Sequence, residues 1–109
     1  MAEVLGSFEQ GVLLTILRLG DGAYGRAILN DAQVRLNREI AAGAIYATLD
    51  RLESKGLISS HLGAGTPVRA GRPRRYYVVK DIGIRALNES RLSLETIWKG
   101  LAWPVKGRL

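Results

Sequence analysis

Residues 69–80 read RAGRPRRYYVVK, with Arg69, Arg72, Arg74, Arg75 and Lys80 in twelve positions, no acid among them, and a run of β-forming residues at the end. Leu57-Ile58-Ser59-Ser60-His61-Leu62 is too short and too β-tolerant for a helix, and the Gly and Pro content of residues 63–73 predicts a connecting loop before Tyr76-Tyr77-Val78-Val79 returns as its partner strand. The product is a two-stranded ribbon with a cationic edge, which suits the phosphates of a nucleic acid. The competing reading of such a run is a solvated loop. The interleaving of Arg with Tyr76 and Tyr77, and the helical pattern upstream, favour nucleic acid.

Upstream, Val12, Leu13, Ile16 and Leu17 recur at helical spacing within Phe8 to Leu19, and Gly20-Asp21-Gly22 stops the pattern. A second amphipathic segment runs from about Tyr24 to Leu36, with Ile28, Leu29 and Ala32 on one side and Arg26, Asn30 and Arg35 toward solvent. Residues 43–55 place Ile45, Leu49 and Leu52 at i, i+4 and i+7 before Gly56 offers a C-terminal cap. Three helices followed by a basic hairpin make a winged helix-turn-helix over residues 1–80, a mainly α fold with a small β-hairpin. In such a fold the third helix enters the major groove and the hairpin touches the flanking backbone.

A last helix is predicted from about Asp81 to Leu101. Ile84, Leu87, Leu94, Trp98 and Leu101 fall at heptad spacing, with Arg91 in the remaining seam position. One small domain cannot cover so long an apolar face, so residues 81–109 are expected to form a two-fold dimer with a second copy. The alternative is that the helix folds back over its own domain.

Composition bounds the rest. Sixteen Lys and Arg against ten Asp and Glu give a formal charge of +6 over 109 residues, which favours an acidic partner. The absence of cysteine excludes a disulfide framework, a thiolate nucleophile and a Cys-ligated metal. No apolar run approaches a membrane span and the first ten residues lack signal-peptide character, so a cytoplasmic protein without membrane contact is expected. Catalysis has little support: His61 is the lone imidazole, without a Ser, Cys or carboxylate partner at a recognisable spacing, and Gly22 to Gly25 is not a phosphate loop. Neither a metal nor a cofactor is expected.

On a helical wheel, the face opposite Ile45, Leu49 and Leu52 carries Gly43, Ala47, Asp50, Arg51 and Ser54, with Tyr46 on one flank. Arg51 is the candidate for a base-edge contact, since a guanidinium bonds bidentately to guanine, and Tyr46 is suited to sugar and phosphate. Thr48 lies nearer the core, where its hydroxyl either bonds its own helix or reaches DNA. Lys55 either reaches phosphate or complements the helix dipole. In the hairpin, Pro73 stiffens the chain between Arg72 and Arg74, and of Tyr76 and Tyr77 one packs on the core while the other faces outward.

The segments Leu5 to Gly25 with its GDGAYG turn, GAIYATLDRLESKGLI at 43–58 and GRPRRYYVVKDIG at 71–83 together resemble the PadR family of bacterial transcriptional regulators. Each motif is weak alone, but their order and spacing cover nearly the whole chain. Ending at the last helix is similar to the short subfamily, in which that helix is the dimerisation element. The resemblance implies a dimeric repressor that binds an inverted repeat in double-stranded DNA and releases it on binding a small aromatic effector. It maps DNA contacts onto Tyr46 and Thr48 and onto Arg72, Arg74 and Arg75; Tyr76, interleaved with that basic run, is a further candidate DNA contact read from the residues themselves. The resemblance also directs attention to Trp98, with Phe8 nearby, as a site for a flat aromatic compound; the competing reading is that Trp98 and Trp103 fill the dimer interface. Where the family has Ser-Pro-Gly-Thr before the third helix, this chain has Ala41-Ala42-Gly43-Ala44, and the lost N-cap hydroxyl is a contribution of about 1 kcal/mol. Readings from other classes are a winged-helix module that binds protein and not DNA, and a small RNA-binding protein.

Overall fold

Glu9 turns back on the start of the first helix, where its Oε1 accepts a hydrogen bond of 3.2 Å from the Gly6 N–H and so satisfies a donor the helix leaves open. In the computed structural model, which describes residues 5–63 and 73–107, that helix (α1) spans Ser7–Leu19 and buries Val12, Leu13, Thr15 and Ile16. Gly20 ends it at φ 57, a backbone conformation that a side chain disfavours, and a short 3-10 turn, Gly20–Gly22, leads to α2, Gly25–Leu36. Asn37 closes α2 in the left-handed region, as Asn tolerates. The Gln33 side chain then accepts a bond from the Ile40 N–H at 3.0 Å, fixing the turn into α3, Ala42–Ser54.

Ile45, Leu49 and Leu52 of α3 are fully buried between α1 and α2, together with Ile28 and Leu13. Each such side chain contributes about 1.5–3 kcal/mol of burial. Gly56, at φ 78, turns the chain into β1, Ile58–Leu62, which pairs antiparallel with β2, Arg75–Val79. The register sets Ile58 against Val79 and Ser60 against Tyr77, and the two-residue alternation puts Ile58, Tyr77 and Val79 on the core while Ser59 and Val78 face out. The Tyr77 N–H donates to the Ala23 carbonyl at 2.8 Å, pinning the hairpin to the start of α2. The winged helix-turn-helix expected from the order of elements is therefore the fold. Arg69 and Arg72 lie outside the described residues.

The last helix, α4, spans Asp81–Trp98, and two expectations are corrected there. It stops short of Leu101, because Lys99 leaves helical geometry and Gly100 turns to φ 90. Leu87, expected on the seam with a second copy, is only 8% exposed within one chain and belongs to its own core with Ala86. Burial on α4 is confined to Gly83, Ala86 and Leu87. A Cβ at Gly83 would run into the Leu57 carbonyl, so the helix lies directly on the backbone leading into β1.

Candidate nucleic-acid interface

At 3.6 residues per turn, Gly43, Ala47, Asp50 and Ser54 line the side of α3 opposite its buried residues, and all four are exposed. The flanks of that line carry different chemistry. On one side Tyr46, 45% exposed, lays its ring over Gly25: a Cβ there would sit 2.5 Å from the Tyr46 hydroxyl oxygen. On the other, Glu9 Oε2 lies 3.5 Å from Arg51 Nε and 3.2 Å from Lys55 Nζ. Burial pushes the Glu9 carboxyl up, but the Gly6 N–H and the Lys55 and Arg51 cations outweigh it, so its pKa lies below the usual carboxylate value.

Thr48 is 2% exposed, and its Oγ1 accepts a bond of 3.2 Å from Arg51 Nη2. The expectation that it reaches DNA is corrected: its hydroxyl is used inside the domain. Arg51 is thus directed toward Thr48 and Glu9, on the α1 flank and away from the middle of the exposed face.

The hairpin brings a second set of groups to the opposite flank. The Arg74 guanidinium stands 4.2 Å over the Tyr24 ring, a cation–π geometry. Tyr24 meets Tyr76 edge to face at 5.7 Å, and Tyr76 stacks on the exposed His61 at 6.0 Å. Arg75 Nη1 donates to Ser60 Oγ at 3.0 Å, and Ser60 Oγ donates to Glu53 Oε2 of α3 at 2.7 Å. A hollow of about 490 Å³ results, lined by Tyr24, Gly25, Arg26, Tyr46, Arg74, Arg75 and Tyr77. It combines three guanidinium groups with the start of α2, whose first N–H groups and dipole favour an anion. Tyr77 adds an acid-silent wall: burial, tempered by Arg75, raises its phenol above the ordinary value. Periodicity alone turns Arg26 toward solvent; the Tyr77–Ala23 bond brings the hairpin, and Arg74 with it, to the same hollow.

At the far end of the molecule, Leu92, Leu94, Ile97 and Leu101 are exposed, as is Ile84 nearer the domain. Trp98 and Trp103 meet edge to face at 5.6 Å, and a hollow of about 450 Å³ opens between Arg91, Leu94, Trp98 and Leu101. Arg91 itself pairs with Glu95 at 3.0 Å along the helix. Phe8 instead packs against the domain core, with the Arg38 guanidinium 5.5 Å over its ring. Among the described residues no cluster of His, Cys, Asp or Glu has the makings of a metal site, and no helix is long and apolar enough to cross a membrane.

The PadR-like family of transcriptional regulators matches residues 13–89, from α1 through the hairpin into α4. The chain belongs to that family. No curated protein matches it. Among solved structures, a PadR family transcriptional regulator from Eggerthella lenta DSM 2243 is 30% identical at a TM-score of 0.64, over 85% of this chain and 80% of that one. A PadR family regulator from Clostridium difficile R20291 is also 30% identical, at a TM-score of 0.63, over 85% of this chain and 93% of that one. A PadR-like regulator from Bacillus cereus strain ATCC 14579 is 26% identical at a TM-score of 0.67, over 83% and 82%. PadR proteins are transcriptional regulators and not enzymes, so the basic hollow and the exposed face of α3 belong to a regulator with a winged-helix DNA-binding fold.

Proposed function

We propose that this PadR-like chain is a dimeric, sequence-specific DNA-binding repressor that releases an inverted-repeat operator when a small aromatic effector binds. The observation that carries the DNA reading is the convergence of Arg26, Arg74, Arg75 and Tyr46 on one hollow beside the exposed face of α3. With α3 in the major groove, that hollow meets the backbone on one side of the groove, and Arg51 and Lys55 are suited to phosphates on the other. Arg72 and Tyr76 extend the wing contact. Residues 1–80 bind DNA and residues 81–109 join two copies, through the apolar side chains Leu92, Leu94, Ile97, Trp98 and Leu101 that one chain leaves exposed or half-buried.

A two-fold dimer holds two α3 helices about 34 Å apart, one turn of duplex. The effector reading rests on the Trp98–Trp103 pair and the hollow beside it. Selection of bound duplexes from a random pool at near-physiological salt tests the function. The expected result is an inverted repeat with half-sites about one turn apart. Recovery of no duplex above an equally charged control, or preference for RNA, overturns it.

A further inference from the structure

The middle of the exposed line on α3 holds an acid. Asp50 stands between Ala47 and Ser54, one turn apart from each, with Gly43 a further turn back. Gly43 and Ala47 extend no further than Cβ, so a surface that approaches base edges along this line meets the Asp50 carboxylate first. The cations of α3 do not share its position: Arg51 and Lys55 lean to the α1 flank on Glu9, and Arg74 and Arg75 belong to the hollow on the other flank.

A carboxylate is acceptor-only. Facing DNA it is repelled by phosphates unless a donor on a base edge receives it. The major groove offers two such donors, cytosine N4 and adenine N6, and adenine sets its N7 acceptor beside the amine where a second carboxylate oxygen would be repelled. Cytosine presents the amine alone.

We propose that Asp50 is a specificity-determining residue that selects a C·G pair at one position of each half-site, its carboxylate accepting a hydrogen bond from the cytosine N4 amine. The proposal rests on the DNA-binding reading above, with α3 in the major groove. The same acid weakens attachment to DNA that lacks cytosine at that position, so it acts as a filter as well as a contact.

The test compares the full chain with Asp50→Asn and Asp50→Ala, using duplex selection and then competition with single-position variants of the selected site. Asn keeps the shape and offers an amide that fits adenine N6 and N7 together. Asp50→Asn is expected to change preference at one symmetric position from C·G toward A·T. Asp50→Ala is expected to lose about tenfold discrimination there and to bind unrelated DNA more tightly. Both side chains are exposed, and unchanged thermal unfolding verifies that the fold survives. If the parent selects an operator and Asp50→Asn selects the same one with the same preference at every position, the assignment of Asp50 falls and DNA binding stands. If the parent selects no duplex, both fall together.

Discussion

Glu9 and Lys55 lie forty-six residues apart in sequence and 3.2 Å apart in space, so the first turn of α1 holds the end of the helix proposed to enter DNA. Glu9 thereby sets a carboxylate beside two cations proposed to face phosphate. Replacing it with Gln is expected to strengthen non-specific DNA binding, since a negative charge beside Lys55 and Arg51 is removed, and to steepen the salt dependence of binding. Titration with an unrelated duplex at several salt concentrations checks this.

The same carboxyl gives a pH dependence. Its folded pKa is lowered from 4.5, so its contribution to stability is complete above the unfolded value and disappears as pH falls through the lower folded one. The partners are partly exposed, which limits the contribution to about 1 kcal/mol. Urea unfolding of the parent and Glu9→Gln should differ near neutral pH and converge in acid well below pH 4.5; a difference that persists there would assign the effect to packing.

Arg74→Ala with Arg75→Ala should weaken binding to all duplexes alike, with a salt slope shallower by about one unit per lost phosphate contact. Arg51→Ala should behave in the same uniform way, because Glu9 and Thr48 hold its guanidinium off the centre of α3. A change of base preference in the Arg51 variant would return it to the groove.

Gly25→Ala puts a methyl where the Tyr46 ring lies and should cost about 1–3 kcal/mol. Tyr46→Ala should remove the conflict, so the double variant should be more stable than the sum of the singles requires. Chemical denaturation of the four proteins measures this coupling. Additive losses would mean that Tyr46 swings aside freely.

Two leucines of α4 separate folding from association. Leu87→Ala should cost about 2–5 kcal/mol, as for other buried Leu truncations. Leu94→Glu should leave the domain folded and abolish the proposed dimer, by placing a carboxylate against its symmetry mate. Sedimentation reads the second result, and an unchanged dimer would locate the interface elsewhere. Quenching of Trp98 fluorescence by flat aromatic compounds, lost in Trp98→Ala, checks the effector reading.

Periodicity sufficed for α1, α2 and α3 because Ile28, Ile45, Leu49 and Leu52 recur with the helical repeat, and Gly20 and Gly56 punctuate them. It failed at the end of α4, where Leu101 fits the heptad but Gly100 precedes it with a left-handed backbone. Leu87 fits the same heptad and is held by its own domain, since a seam count does not reveal where an intramolecular contact ends. The site was partly legible: Arg74 and Arg75 sit in an acid-free run, and Tyr46 lies beside the exposed line. What sequence did not carry was the choice of flank. Glu9 captures Arg51 across forty-two positions, and Arg26 joins the wing only because the hairpin is pinned at Ala23.

The contact at Gly83 gives α4 the mechanics of a lever. Between that glycine and Trp98 the helix extends about 22 Å, and past Leu87 none of its residues is buried, so a tilt of about 5° at the fulcrum displaces the tryptophan by about 2 Å. At the fulcrum the Gly83 backbone lies against the Leu57 carbonyl and the Val79 side chain, with no room for a Cβ between them. Whatever is fastened to the tip therefore moves in proportion to an angle set at the junction of α3 and β1.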